Sequence, residues 1–518
     1  MSRSRDARPA RWSESFHSKP VQSNRLFLDP DEEDSETGRL EVLVSVRPHF
    51  LDRRAWLKLG GLSLGSLVTG PEPALARIFA AEETGERKPD REFSVILFWA
   101  NGGPSHIDTF DLKPNAPDEI RGPFRPARTN VTGIQINEHL PRLARLADKF
   151  ALIRSLHHNR AEHSGGTHRF LTGYPSLAAN LQNAEYPDIG SVVAKQLDGR
   201  SADAPVYVGN TKFYGGGPGY LGSAYAPFMP SANPLTSTGA NEYDPVPLYL
   251  TDETQGSLAL EPDGAITLRR RDNLLKTLDA IPRIRDRSDH DPFDRFQRRA
   301  IEMLAGPRIR EAFDLTRESA RVRERFGDTE WGKDLLTARR LVESGVRFVQ
   351  CQANLRLRPE SGVTTSWDDH SVNVDIFRAM EERLPLFDRA VSALIEDLYQ
   401  RGLDRHVLFI FCGEFGRTPK IERQDASRRP GRDHWPRAMS VLLSGGGLKM
   451  GLVIGATDSR GGEPTARAMD SNCLLATIYH RFGIDVTHSY PDRAGRPLPI
   501  LPSGEPIVEL LSRLSPAP

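Results

Sequence analysis

The sequence has few cysteines and no excess of charge of either sign. The three cysteines in 518 residues, Cys351, Cys412 and Cys473, are widely spaced and lie in apolar runs, which predicts buried thiols and not a disulfide framework or a CxxC zinc site. The 69 basic and 69 acidic side chains cancel, so the electrostatic footprint of a nucleic-acid or anionic-membrane partner is absent. The weakly apolar run 57–68 is too short to span a bilayer. We therefore expect no nucleic-acid partner and no integral membrane segment once this run has been removed.

Three common catalytic signatures are also missing. The sequence has no Gly-x-Ser-x-Gly elbow, no Walker-type phosphate loop and no dinucleotide fingerprint. The sequence therefore gives no sign of an α/β-hydrolase serine, a P-loop nucleotide site or a dinucleotide cofactor.

By composition, the chain divides into a polar leader and one long domain. Residues 1–52 are polar and mixed in charge, which predicts disorder. Residues 53–76 resemble a twin-arginine export signal, because paired arginines precede a short apolar run and a small-x-small motif. The alternative is a short amphipathic helix. A charged linker at 77–92 follows, and we expect the α/β domain at 93–515, with a helical insertion at about 266–345.

Strands and helices are expected to alternate along the domain. Apolar runs rich in bulky residues predict buried strands, and apolar residues at helical spacing predict helices that cover them. This alternation predicts an α/β fold, a doubly wound and mostly parallel sheet with helices on both faces. The strands are expected at 93–99, 150–156, 205–208, 346–353, 407–411, 438–443 and 452–454, and the helices at 138–149, 189–197, 372–402 and 472–482.

Histidines and acidic residues concentrate in the loops after the expected strands. Ligands of open α/β folds bind beyond the carboxyl ends of the strands, so we expect these loops to share one site. Imidazole together with carboxylate suits zinc, manganese or iron, whereas an all-oxygen set would suit calcium or magnesium. Two such divalent ions a few ångströms apart can clamp and activate a nucleophile for hydrolysis. The candidate metal ligands are His106, Asp108, Asp368, His370, Glu414, Asp433 and His434.

Each candidate also has an alternative role. An aspartate next to a histidine can orient the imidazole ring instead of binding the metal. Arg417 and Arg432 could bind an anionic substrate as guanidinium forks, or could form salt bridges, for example between Arg417 and Glu414. Ser164 and Thr167 follow the second expected strand, where a strand-to-helix turn points hydroxyls and amides at an anion. Each hydroxyl could equally cap the helix.

Several motifs of the chain occur together in one known family pattern. They are Asn101-Gly-Gly-Pro-Ser-His-Ile-Asp-Thr-Phe-Asp111, Glu138-His-Leu-Pro141, Leu171-Thr-Gly173, Trp367-Asp-x-His370, Gly413-Glu-Phe-Gly-Arg-Thr-Pro419 and Gly431-Arg-Asp-His-Trp-Pro436. In this combination the chain closely resembles the domain-of-unknown-function family 1501, over about residues 92–515. The family is typical of planctomycete-like bacterial genomes, and its members are often exported. The resemblance implies an alkaline phosphatase/sulfatase-like fold with a two-metal hydrolytic site.

The functional residues implied by the resemblance carry over only in part. The spacing to Leu171-Thr-Gly173 places His163 at the position of the superfamily's nucleophile. His370 and His434 match the family's metal-binding histidines, and Glu414 stands where the superfamily has an Asp-His pair. The Cys/Ser-x-Pro-x-Arg motif that generates formylglycine is absent. The catalytic candidates are therefore His163, Ser164 and Thr167, with water as the simplest nucleophile.

These observations predict an exported, metal-dependent, hydrolase-like protein of the periplasm or cell envelope. It would act on phosphate or sulfate esters of a small molecule or polysaccharide and would leave the cytoplasm through the twin-arginine machinery. One alternative is a non-catalytic metal- or glycan-binding envelope protein that retains the fold. Another is an intracellular helper in which residues 53–76 form an ordinary helix.

Overall fold

The computed structural model describes residues 92–198, 204–211, 213–230, 246–250, 307–358, 365–424, 426 and 428–511. The predicted disordered extension, the export signal, all but the last residue of the linker, and the helical insertion up to residue 306 lie outside the described residues.

The strands are short and most of the long ones are fully buried. In chain order they are β1 Ser94–Trp99, β2 Pro126–Arg128, β3 Gln135–Asn137, β4 Ala151–His157, β5 Tyr207–Gly209, β6 Phe348–Gln352, β7 Val407–Cys412, β8 Gly416–Arg417, β9 His434–Trp435, β10 Met439–Gly445, β11 Leu452–Ile454, β12 Ala456–Thr457, β13 Pro464–Ala466, β14 Met469–Asp470, β15 Ser489–Pro491 and β16 Pro497–Pro499. Every residue of β1, β6, β7 and β10 is buried, as expected for strands covered on both faces.

The α-helices vary from one turn to seven. They are α1 Asp118–Arg121, α2 Pro141–Ala144, α3 His163–Thr172, α4 Ile189–Gln196, α5 Pro307–Phe313, α6 Ala320–Phe326, α7 Glu330–Glu343, α8 Ile376–Gln400 and α9 Ser471–Phe482. Within the described ranges, no helix combines the length and the apolar character needed to cross a bilayer.

One eight-stranded sheet forms the centre of the domain. Its strand order is β11-β4-β10-β7-β1-β6-β5, with β14 paired to β4. β1 pairs in parallel with β6 on one side and β7 on the other. β10 runs antiparallel to both β4 and β7, so β4 and β7 run in the same direction as each other. The carboxyl ends of β4, β7, β1 and β6 therefore meet at one edge of the sheet.

Helices cover both faces of this sheet, which confirms the predicted doubly wound, mostly parallel α/β fold. On one face, Phe98 and Phe409 pack in a core with Trp331 of α7 and Phe387 of α8. On the other face, residues of α3, α4 and α9 pack with the alternate side chains of the same strands. Alternating strand residues thus feed two cores, each of which removes apolar surface from water.

The helix predicted at 138–149 is shorter in the structure. The helix α2 covers only four residues, and a separate 3₁₀ turn, Ala147–Lys149, follows it. The carboxylate of Asp388, on α8, accepts hydrogen bonds from the backbone N–H groups of Arg142 (2.9 Å) and Leu143 (2.8 Å). A distant side chain therefore caps the first turn of α2, and the apolar spacing of the sequence overestimated the length of the helix.

Candidate metal centre

The loops that carry the candidate ligands leave the carboxyl edge of the central sheet. His163 follows β4, and Asp368 and His370 follow β6. Glu414 comes directly after β7, and the small ribbon of β8 and β9 then brings back His434 opposite Arg417. Segments far apart in the sequence thus converge because their strands run in the same direction.

Asp368 is held by anchored residues on both sides. The Trp367 backbone N–H donates to the carbonyl oxygen of Asn101 (2.7 Å). On the other side, the buried carboxylate of Asp369 accepts hydrogen bonds from the Arg383 guanidinium at 2.9 and 3.2 Å. That guanidinium also lies 4.4 Å from the centre of the Trp367 ring. These contacts fix the backbone of Asp368 while its side chain points to the histidines.

Three imidazoles converge on one oxygen of Asp368. The Nε2 atoms of His370 and His434 each lie 3.0 Å from Asp368 Oδ1, and that of His163 lies 3.5 Å from it. The Nε2 atoms of His370 and His434 are 2.9 Å apart. One ligand atom each of His163, Asp368 and His434 lies within 4.8 Å of the others. We refer to His163, Asp368, His370 and His434 as the His₃Asp cluster.

Each imidazole of the cluster is oriented through its Nδ1 atom. Carboxylate and carbonyl oxygens can only accept, so each Nδ1 carries a proton and donates, and each Nε2 faces the centre of the cluster. The acceptors are Glu414 Oε1 for His163 (2.8 Å), Asp433 Oδ1 for His370 (2.7 Å) and Ala161 O for His434 (2.7 Å). Such an arrangement is typical of metal-binding histidines, whose remote nitrogen is fixed by a hydrogen bond.

The electrostatics of the cluster favour positive charge at its centre. Burial disfavours an ionised Asp368, but Arg417 and the imidazoles hold the pKa of this carboxyl well below its usual range. Burial also disfavours a charged His163, yet its hydrogen bonds to Asp368 and Glu414 raise its pKa to about 9. Burial lowers the pKa of His434, which is therefore neutral at pH 7. The carboxylates of Asp368 and Glu414 thus favour a cation beside them, whether it is a proton or a metal ion.

Glu414 reaches the cluster from a tightly packed turn. A Cβ atom on Gly413 would lie 2.3 Å from the carbonyl oxygen of Ala100, so this position has no room for a side chain. Glu414 is fully buried, and its Oε1 accepts from the backbone N–H of Gly102 (2.8 Å) as well as from His163. Among the described residues, its Oε2 has no hydrogen-bond partner. A buried carboxylate oxygen without a partner is costly, and a nearby cation would relieve that cost.

The residues present fit a transition-metal ion. Three imidazole nitrogens and one carboxylate oxygen make a four-ligand set of the kind that zinc, manganese or iron binds. The four side chains are between 15% and 22% exposed, so the cluster is open to solvent and small solutes. Three of these ligands, His163, Asp368 and His434, form the one group in the described part of the chain whose potential metal-binding atoms all lie within 4.8 Å of one another.

Arg417 binds Asp368 of the cluster, and its guanidinium does not point toward a substrate. Its side chain is fully buried, and it donates five hydrogen bonds to the protein. The acceptors are Asp368 Oδ1 (2.7 Å), Trp367 O (3.0 Å), Gly103 O (3.0 Å), Arg432 O (2.9 Å) and Gly102 O. Arg417 therefore neutralises part of the charge of Asp368 and joins the loops that carry Asp368 and His434 to the loop after β1.

The structure does not bring Asp108, His106 or Arg432 into the cluster. Asp108 and Arg432 are fully buried and form an ion pair with N–O distances of 2.7 and 3.2 Å. His106 Nε2 donates instead to the carbonyl oxygen of Gly461 (2.8 Å). The other acceptors of the Arg432 guanidinium are Ile120 O (2.7 Å), Thr418 O (3.1 Å) and Pro419 O.

Ser164 and Thr167 lie inside α3, which begins at His163 of the cluster. The Ser164 hydroxyl donates to the carbonyl oxygen of Ala179 (3.2 Å) and accepts from the backbone N–H of Leu181 (2.8 Å). Thr167 is buried one turn further along the helix. Neither hydroxyl caps α3, whose N-cap residue is Glu162. The Ser164 hydroxyl is therefore engaged within the protein.

Sequence reasoning missed the backbone groups of the site and one of its histidines. The carbonyl of Ala161 and the N–H of Gly102 are essential contacts, but backbone groups leave no signature in a sequence. His158 is buried and donates from Nε2 to the carbonyl oxygen of Glu414 (2.5 Å), while its backbone N–H donates to that of Pro436 (2.8 Å). His158 thus joins the two loops that carry Glu414 and His434. Its place directly after β4 was the available signal.

Gly102 gives a direct test of how closely these loops must approach each other. Its φ is +98°, and a Cβ there would lie 2.4 Å from the backbone nitrogen of Asp368. We expect Gly102→Ala to displace Asp368 and to weaken metal binding at least about tenfold, as loss of a supporting contact does. The matched control is Gly133→Ala, because Gly133 has φ +89° with nothing within 4 Å. The control should lose only the backbone term, about 1 kcal/mol of unfolding free energy, and should keep its metal affinity in a competition titration. Equal metal affinities of the two variants would show that this close approach is not required.

Comparison with sequence families gives one match. The profile described as "Protein of unknown function (DUF1501)" matches residues 92–511, which include every residue of the His₃Asp cluster. Among curated proteins, none has significant sequence similarity to the chain.

Comparison with solved structures finds sulfatases, phosphatases and related enzymes. The PsFucS1 sulfatase from Pseudoalteromonas sp. is 13% identical, with a TM-score of 0.33 over 80% of this chain and 72% of the sulfatase. A Mg-bound mutant of TAB5 alkaline phosphatase is 11% identical, with a TM-score of 0.30 over 77% of this chain and 99% of the phosphatase. The C-terminal periplasmic domain of EcEptC from Escherichia coli, solved with Zn, is 9% identical, with a TM-score of 0.29 over 77% of this chain and 85% of that domain. At such identities the likeness concerns the fold alone.

Proposed function

We propose that this chain, which belongs to the DUF1501 family of proteins of unknown function, is a metal-dependent hydrolase of phosphate or sulfate esters. The observation that carries the proposal is the convergence of three imidazole Nε2 atoms on Asp368 Oδ1. The Nε2 atom of neutral His434 carries a lone pair, and it lies 3.0 Å from this oxygen. Two acceptors at that distance need a shared proton or a shared cation, and the divalent ion is the choice that engages all four ligands at once.

In this proposal the protein holds one ion and keeps its ligands in place. His163, His370, His434 and Asp368 would bind it, and a bound divalent ion would supply Lewis acidity to an ester oxygen and lower the pKa of water. Glu414 and Asp433 fix the Nδ1 protons of two ligands, so their lone pairs face the ion without rearrangement. Asp433 Oδ2 in turn accepts from the side chain of Gln424 (2.8 Å). Both carboxylates therefore act through the histidines.

An anionic ester suits the surroundings of the cluster. α3 begins at His163, so the positive end of that helix lies beside the metal ligands and favours anionic oxygens. The partial exposure of the cluster gives a substrate access to it. A small-molecule ester and an ester-bearing polysaccharide both meet these requirements.

We place the reaction outside the cytoplasm, in the periplasm or cell envelope. This part of the proposal rests on the twin-arginine-like pattern at 53–76, which would engage the twin-arginine export machinery with the folded, metal-loaded protein. If the signal is removed on export, the amino-terminal sequence of the native protein should begin directly after Ala76. An intact leader in the native protein would favour the intracellular alternative.

Metal analysis combined with turnover tests the function. The purified protein should retain about one zinc, manganese or iron ion per chain after desalting, and it should hydrolyse an aryl phosphate or an aryl sulfate. Chelation should abolish turnover, and the retained metal should restore it. His434→Asn should lose both metal and turnover. The matched control His139→Asn should keep both, because His139 packs on Phe124 away from the cluster.

The runner-up is a metal- or glycan-binding envelope protein without catalysis. The internal engagement of Arg417 favours it, because no hydrogen bond of that side chain remains directed at a substrate. Retention of the metal with no turnover on a broad ester panel would establish this alternative.

A further inference from the structure

The arginines at the carboxyl edge are engaged within the protein. Arg417 and Arg432 are fully buried and direct their N–H groups to backbone carbonyls and to the carboxylates of Asp368 and Asp108. The neighbouring loop shows the same pattern. Its contacts are Arg423 to the carbonyl of Arg428 (2.7 Å) and Arg429 to that of Val372 (2.8 Å). Arg417 is therefore the guanidinium that touches the cluster, and it faces Asp368 instead of the open side.

The charges in contact with the cluster nearly cancel once a metal is bound. Asp368, Glu414 and Asp433 contribute three negative charges, and Arg417 contributes one positive charge. A divalent ion on neutral imidazoles brings the sum to about zero. The positive end of α3 adds about half a charge. The site therefore carries a net positive charge of only about one half, which favours an incoming group with one negative charge over a group with two.

From this balance we propose that the site prefers monoanionic esters, a sulfate monoester or a phosphate diester, over the dianionic phosphate monoester. This inference rests on the proposed function and narrows its substrate class. The first negative charge of a substrate would meet the ion and the positive end of α3. Among the described residues, the guanidinium in contact with the cluster is that of Arg417, and its N–H groups are bound within the protein. A second charge would therefore be repelled by Asp368, Glu414 and Asp433.

Direct binding of two anions of matched shape tests the preference without any need for turnover. Benzenesulfonate carries one charge and phenylphosphonate carries two at about pH 8.5. Their dissociation constants for the metal-loaded full-length protein can be compared by ligand-observed NMR, which detects millimolar binding. We expect benzenesulfonate to bind at least about tenfold more tightly. Equal or tighter binding of phenylphosphonate would overturn the inference and leave the proposed function standing. Binding of neither anion, with no ester turned over, would overturn both.

A charge variant shows whether the acids of the site cause the preference. In Asp433→Asn, the amide oxygen still accepts from His370 Nδ1 but one negative charge is gone, so the ratio of the two dissociation constants should fall several-fold. The matched control is Asp485→Asn, which removes the same charge from the exposed segment after α9 and should leave the ratio unchanged. An unchanged ratio in Asp433→Asn would contradict the charge argument.

Turnover then identifies which monoanion is the substrate. The three 4-nitrophenyl esters, the sulfate, the methyl phosphate diester and the phosphate, share one leaving group. Higher kcat/KM for the sulfate or for the diester than for the phosphate would support the inference and would show which of the two monoanionic esters is the substrate. The highest kcat/KM for the phosphate would overturn it.

Discussion

Replacing Asp368 with asparagine is expected to remove the bound metal. Asp368 Oδ1 is the atom shared by all three imidazoles of the cluster and by Arg417, so its carboxylate charge has no substitute among these contacts. We expect metal affinity to fall at least about 100-fold, because even the loss of a residue that only orients a ligand costs 10–100-fold. Metal content after desalting, measured by mass spectrometry, and a competition titration with a chelator would show this loss.

The neighbouring aspartate provides the matched control for this variant. Asp369 is also buried, but it pairs with Arg383 and does not contact the cluster. Asp369→Asn should lower the free energy of unfolding, because it leaves the Arg383 charge buried without its counterion. Its metal affinity should fall by about tenfold, as for a residue that only supports a ligand, and thus far less than in Asp368→Asn. The two substitutions change the same chemical group at adjacent positions, so they separate ligand loss from general destabilisation. Retention of metal by Asp368→Asn at unchanged affinity would exclude the cluster as the metal site.

The convergence of His370, Glu414 and His434 could be predicted from the sequence. Glu414 directly follows one buried apolar run, His370 lies in the segment after another, and His434 lies on the ribbon after β7. The carboxyl ends of parallel strands meet at one edge of the sheet. This inference needs only the strand positions, and β1, β4, β6 and β7 begin and end within two residues of the predicted bounds. The sequence alone therefore indicates which edge of the sheet holds the site.

The direction of β10 could not be predicted in this way. Its residues, Met439–Gly445, are as apolar as those of its parallel neighbours, yet it runs antiparallel between β4 and β7. A strand that is buried on both faces lacks the alternation of apolar and polar residues that is typical of antiparallel strands, so its sequence resembles that of a parallel strand. The polar turn before it carries His434, so the cluster receives this ligand from a ribbon on the way into β10.

The pairing of charged residues was also beyond the sequence. Asp108 and Asp368 both follow central strands beside histidines, and each meets an arginine of the segment after β7. In the fold, Asp368 is surrounded by imidazoles, whereas Asp108 pairs with Arg432. The sequence does not show which of the two aspartates meets the histidines. Asp108 and Arg432 are 324 positions apart in the sequence, and no spacing rule connects residues at that separation.

The buried pair of Asp108 and Arg432 is expected to be one of the largest single contributions to stability. Both side chains have no exposed surface, and the guanidinium also binds three carbonyls. Arg432→Met would leave the Asp108 carboxylate buried, with the Ser105 hydroxyl (2.5 Å) as its hydrogen-bond donor. Breaking one side of such a pair costs about 3–5 kcal/mol, so we expect a loss of that size in urea unfolding.

Two further variants assign this loss to the buried charge and test the alternative role of Arg432. Adding Asp108→Asn to Arg432→Met should cost less than the sum of the single variants, because the unpaired charge is removed with its partner. Arg467→Met breaks the half-exposed pair with Glu509, and it should cost less than about 1 kcal/mol. If Arg432 bound substrate, as its position in the sequence also allowed, Arg432→Met would raise KM for the ester and leave the unfolding free energy unchanged. The complete burial of the guanidinium predicts the opposite result, a large loss of stability and no path by which a substrate could reach residue 432.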